Sequence, residues 1–171
     1  MGRVYWITGF SGAGKTTVGK LLYEKLKTVK DNIVFLDGDT LRQVFGDDLG
    51  YGEEDRKKCA MRYSRICRLL SGQGIDVICC TISMYDSVRE WNRKNIPDYF
   101  EVYVRVDMDV LVKRDQKGLY SGTSVEDDTR LVGVSLSAEV PKSPDIILDN
   151  NGELTPGEQV ALILEKLGME L

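Results

Sequence analysis

Gly9-Phe10-Ser11-Gly12-Ala13-Gly14-Lys15-Thr16 has the spacing of a phosphate-binding loop: a glycine, four residues, then Gly-Lys-Thr. Glycines in such a loop let consecutive backbone N–H groups curl around an anion. The positive end of a following helix strengthens that field. In this arrangement Lys15 reaches the β- and γ-phosphates of ATP, and the Thr16 hydroxyl ligates Mg2+. Gly9, Ser11, Gly12, Ala13, Gly14, Lys15, Thr16 and Thr17 are therefore the candidate ATP-binding residues, with Thr16 the candidate metal ligand. A second chemical feature is Asp37-Gly38-Asp39, two carboxylates closing an apolar run. The chain contains no histidine, so a general base has to be a carboxylate, lysine, tyrosine, cysteine or water. Either Asp37 or Asp39 can accept a proton or hold Mg2+ through water; an Asx turn at a strand end is the purely structural alternative.

These residues need elements to hold them. Val4-Tyr5-Trp6-Ile7-Thr8 reads as a buried strand feeding the loop, and a helix follows from Thr16 with Val18, Leu21, Leu22 and Leu26 on one face. Further strands are predicted over 32–36, 75–82, 100–106 and 145–148. Helices are predicted over 40–45, 53–72 and 86–95, from 110 to 115, and from 156 to about 167. Thr155-Pro156-Gly157-Glu158 signals the start of the last one. Strands separated by helices imply a three-layer α/β fold, with a mainly parallel sheet of about five strands covered on both faces. Ligands in such folds lie beyond the carboxyl ends of the strands, which selects 9–16, 37–39, Ile82-Ser83 and Asp107 as the rim of the site. Residues 117–144 are rich in Gly, Ser, Thr and charge and lack periodicity; long irregular stretches of this kind often form lids, here over about 114–135.

Composition narrows the class. The 171 residues suit a single domain spanning 1–171, and the net charge of −4 gives no global basic surface for nucleic acid or membrane. No apolar run has membrane-spanning length, and the first strand begins at once, leaving no room for a signal peptide; a cytoplasmic protein is expected. Cys59, Cys67, Cys79 and Cys80 form no C-x-x-C pair and lack histidine partners, so buried reduced thiols are expected rather than zinc. The guanine-reading Asn-Lys-x-Asp of GTPases is missing, whereas the size, the acids and the basic Lys113, Arg114 and Lys117 suit a small-molecule kinase.

The chain resembles the adenylylsulfate kinase family. The likeness lies in Leu36-Asp37-Gly38-Asp39-Thr40-Leu41-Arg42, Asp48-Leu49-Gly50-Tyr51, Glu54-Asp55-Arg56 and Thr81-Ile82-Ser83. It continues in Arg114-Asp115-Gln116-Lys117-Gly118-Leu119-Tyr120 and Pro141-Lys142-Ser143-Pro144-Asp145. The resemblance implies a P-loop kinase, usually a homodimer, that uses MgATP to phosphorylate the ribose 3′-hydroxyl of adenosine 5′-phosphosulfate. It implies catalytic roles for Lys15 and for Asp37 or Asp39, and lid contacts to ATP from Arg114 and Lys117. Arg42 and Arg56 would bind the acceptor's 5′ anhydride, with Asp39, Tyr51, Cys59, Ile82, Ser83 and Leu131 completing the acceptor site.

The departures concern acceptor reading. Leu131 stands where the family has a phenylalanine that stacks on adenine, Thr129 where it has lysine, and Cys59 where it has asparagine. A branch that resembles these kinases acts in bacterial capsule pathways on cytidine diphosphoramidate, an acceptor with the same ribose and 5′ anhydride but a smaller base. That branch is the expectation preferred here. Sulfate activation is the alternative, and a nucleotide-binding regulator without catalysis a remote one.

Overall fold

β1 (Val4–Thr8) is buried along its whole length, so its side chains must be covered on both faces. The computed structural model, which describes residues 1–46, 48–114 and 138–170, shows how. The chain runs through α1 (Lys15–Lys27), β2 (Ile33–Asp37), α2 (Gly38–Phe45), α3 (Glu53–Gly72), β3 (Asp76–Thr81) and α4 (Asp86–Asn95). It continues through β4 (Tyr99–Arg105), α5 (Met108–Arg114), β5 (Ile146–Asp149) and α6 (Pro156–Lys166). The strands form one five-stranded sheet in the order β2-β3-β1-β4-β5, every pairing parallel.

Strand alternation divides the core in two. Tyr5 and Ile7 pack with Val18, Leu22 and Leu26 of α1 and Val160 and Ile163 of α6. Val4 and Trp6 face the other way, toward Tyr63 and Cys67 of α3 and Val88 of α4. Cys79 and Cys80 split between these faces as adjacent strand residues must, and all four cysteines are buried free thiols.

Element boundaries differ from the sequence reading by a residue or two, and the differences have local causes. α2 starts at Gly38 rather than residue 40 because the Asp37 carboxylate caps it, accepting from the Asp39 N–H at 3.1 Å. At α6 the expected capping box is complete: the Glu158 N–H donates to Thr155 Oγ1, and the Glu158 carboxylate accepts from the Thr155 N–H. α3 stops where Gly74 turns to φ +83°, with the Ile75 N–H bonded back to Leu70 O at 3.2 Å.

Residues 115–137, most of the expected lid, lie outside the described residues. The stretch leading into β5 is anchored on α4. The Glu139 N–H donates to Met84 O at 2.9 Å, the Asp86 N–H to Glu139 Oε2 at 2.6 Å, and Arg93 to Ser143 O at 2.9 Å. Beneath this contact Glu101 is buried with Arg93 and Arg89 beside it; burial pushes its carboxyl group up, and the two guanidiniums oppose that.

Close packing of α1 on the sheet depends on Gly19. A Cβ there would overlap Cys80 Sγ and press on Phe35 and Ile7 at 3.2 and 3.3 Å. Gly19→Ala should therefore destabilise the fold by about 1–3 kcal/mol, the usual cost of overpacking. Adding Cys80→Ala should recover part of the loss in a denaturant titration, because the two side chains compete for one space.

Candidate active site

The carboxyl ends of β1, β2 and β3 open onto one cleft of about 250 Å³. The loop after β1 forms one wall. Gly12 and Gly14 hold φ values of +76° and +96°, which side chains rarely adopt, and a Cβ on Gly9 would collide with Val104 O. The Lys15 ammonium bends back across this loop and donates to Phe10 O at 2.7 Å. Behind it, burial pushes the Cys80 thiol up to about 12, so it stays protonated and donates to Lys15 O at 3.3 Å.

Thr16 and Asp37 meet across this opening. The Thr16 hydroxyl donates to Asp37 Oδ2 at 2.8 Å, while Asp37 Oδ1 takes the Asp39 N–H. Both Asp37 oxygens thus serve the loop and the cap, and the exposed Asp39 borders the cleft. Among the described residues no three His, Cys, Asp or Glu side chains cluster to hold a metal on their own. A hydroxyl and a carboxylate in contact at a phosphate loop fit an ion that takes its other ligands from phosphate and water, as Mg2+ does.

The opposite wall carries the expected acceptor residues. Two guanidiniums pack on Tyr51, Arg42 at 4.0 Å and Arg56 at 5.6 Å from its ring centroid. Arg42 also donates to Leu49 O at 2.6 Å and to Gly50 O, and Arg56 to Tyr51 O at 2.7 Å. Cys59, Ile82 and Ser83 complete this wall, with Ser83 Oγ held 2.7 Å from Thr81 Oγ1.

The structure therefore gathers Ser11, Gly12, Gly14, Lys15, Thr16 and Thr17 with Asp37, Asp39, Arg42, Tyr51, Arg56, Cys59, Ile82 and Ser83 around one cleft. Gly9 and Ala13 shape the loop from behind. Arg114 ends α5 and does not border the cleft, and Asp107 pairs with Asn151 instead. Lys117 and Leu131 lie outside the described residues.

Known proteins give this geometry a family. The adenylylsulphate kinase profile matches residues 1–149. The chain belongs to the adenylylsulphate kinase family. It is 38% identical to the cytidine diphosphoramidate kinase of Campylobacter jejuni, over 97% of this chain and 96% of that protein. It is 39% identical to a probable adenylyl-sulfate kinase of Archaeoglobus fulgidus, over 88% of this chain and 97% of that one. The Mycobacterium tuberculosis APS kinase, solved with AMPPNP and APS, superposes with a TM-score of 0.85 at 31% identity, covering 98% of both chains. The protein is accordingly a phosphotransferase with a hydroxyl acceptor.

The sequence reading missed Asn150, which lies far from the loop in the chain. Its Nδ2 donates to Ala13 O at 2.8 Å, and its Oδ1 accepts from the fully buried Gln159 at 2.8 Å. Only the three-dimensional structure brings β5 beside the phosphate loop. Asn150→Ala would strand both Gln159 and the loop carbonyl, costing roughly 1–3 kcal/mol for a buried group left unpaired. A lower unfolding midpoint together with a raised KM for ATP is expected; a lower midpoint with unchanged KM would confine Asn150 to stability.

Proposed function

We propose that this family member transfers the γ-phosphate of MgATP to the ribose 3′-hydroxyl of a nucleoside 5′-phosphate anhydride, with cytidine diphosphoramidate as its preferred acceptor. The observation that carries the reading is one cleft lined together by phosphate-loop residues, Asp37, Asp39, Arg42 and Arg56.

Phosphoryl transfer depends mainly on positioning and charge neutralisation. Lys15 exchanges its bond to Phe10 O for phosphate oxygens, a stronger charge-assisted contact. Thr16, with Asp37 behind it, would hold Mg2+, which neutralises phosphate charge when bound. Asp39 accepts the proton of the acceptor hydroxyl; its backbone is fixed by the cap while its side chain borders the cleft. Arg42 and Arg56 take the 5′ anhydride, for which guanidinium geometry is suited, releasing the backbone carbonyls they now hold. By the family resemblance Arg114, at the end of α5, and Lys117 would contact ATP, and Leu131 the acceptor base.

Two things favour the cytidine acceptor. One is the Campylobacter jejuni relative, similar over nearly the full length of both proteins. The other is the replacement of an adenine-stacking phenylalanine by Leu131. Adenosine 5′-phosphosulfate is the second reading, favoured by the Archaeoglobus fulgidus relative and the Mycobacterium tuberculosis structure. The proposed assembly is a homodimer, as the family resemblance implies. The proposed location is the cytoplasm; among the described residues no helix is long and apolar enough to cross a membrane.

Loss of one stacking face is worth on the order of 1–3 kcal/mol by analogy with single-strand binders, or about ten- to a hundredfold in affinity. At saturating MgATP, kcat/KM for cytidine diphosphoramidate should exceed that for adenosine 5′-phosphosulfate by about tenfold or more. The reverse preference would assign the protein to sulfate activation.

A further inference from the structure

Asp39 sits on a peptide unit that is gripped at both ends. Its N–H donates to Asp37 Oδ1 at 3.1 Å. The carbonyl of the same unit, Gly38 O, accepts from the Tyr63 hydroxyl at 2.9 Å. A peptide unit is planar, so fixing its N–H and its C=O leaves it little freedom to rotate. The flank of Gly38 is filled as well: a Cβ there would lie 3.2 Å from Cys80 O and 3.4 Å from Thr81 Oγ1.

Tyr63 is itself held in one orientation. It accepts a hydrogen bond from the Cys59 thiol, one helical turn earlier on α3, at 2.9 Å. Its ring stacks on Phe45 at the far end of α2, with centroids 6.0 Å apart and planes 20° apart. Burial and the neighbouring thiol push the tyrosine hydroxyl up, so it remains a donor at any pH the enzyme meets. α3 therefore grips the first and last turns of α2 through one side chain.

We infer that Tyr63, backed by Cys59, is a positioning residue that fixes the Asp39 carboxylate relative to the phosphate loop. The inference rests on the proposed role of Asp39. It also gives Cys59 a second task besides lining the cleft: its thiol is turned to Tyr63.

The test is a double-mutant cycle on the full-length protein. Tyr63→Phe removes the hydroxyl and keeps the ring. In the wild-type background it should lower kcat by about three- to tenfold, the scale of one hydrogen bond, and leave the KM for ATP unchanged. In the Asp39→Asn background it should lower kcat less than about twofold, because the carboxylate it positions is already gone. An unchanged kcat, or equal losses in both backgrounds, would overturn the inference. Should Tyr63→Phe not fold, Cys59→Ala run through the same cycle carries the same expectation and the same refutation. Failure of the functional proposal looks different: the wild-type protein would then turn over neither the cytidine nor the adenosine acceptor.

Discussion

The hydrogen bond between Thr16 and Asp37 is the contact on which the rest of the site depends. It joins the first residues of α1 to the end of β2, beside the phosphate-binding loop where the proposed function puts phosphate and metal. Parallel pairing of β1 and β2 with β3 puts the carboxyl ends of both strands on the same side of the sheet, and the buried split core keeps them there. Asp37 uses its second oxygen to cap α2, so the same carboxylate that faces the loop also sets where the acceptor wall begins. The proposed donor and acceptor halves are thus joined through one side chain.

The acceptor wall is prepared in a different way. Arg42 and Arg56 contact the Tyr51 ring and backbone carbonyls, and in the proposed reaction the acceptor's anhydride would take the place of those carbonyls. Both guanidiniums line the cleft while bonded to these carbonyls. Neutral acceptors of this kind give weaker bonds than a phosphate does, so the exchange favours ligand. Lys15 follows the same logic at Phe10 O.

What was legible in the sequence was local or periodic. The phosphate loop is a short spacing with a strand before it and a helix after it, and the apolar runs of β1 and β3 announce strands covered on both faces. The capping box at Thr155 needed only four consecutive residues. The proposed division of labour between Asp37 and Asp39 was not legible, because it turns on a contact to Thr16, 21 positions away in the chain. Asn150 was invisible for a stronger reason, since it meets Ala13 across 137 positions. Tyr63 left a faint trace, an i, i+4 pairing with Cys59 that reads equally well as core spacing, and only the fold shows Gly38 O above it. The resemblance to adenylylsulfate kinases filled part of this gap by naming Arg42 and Arg56, which no local pattern distinguishes from solvated charges on helices.

The proposed division places Asp37 on the metal and donor side and Asp39 on the proton-accepting side. Titrating Mg2+ at saturating ATP and acceptor, for Asp37→Asn and Asp39→Asn in parallel, tests it most directly. Loss of an outer partner of a metal ligand weakens the metal by about ten- to a hundredfold, so Asp37→Asn should raise the half-saturating Mg2+ concentration by at least about tenfold. Asp39→Asn should leave that concentration unchanged while lowering kcat by about a hundredfold or more, the scale of general base catalysis. A metal requirement that shifts with Asp39 and not with Asp37, or a kcat indifferent to Asp39, would contradict it.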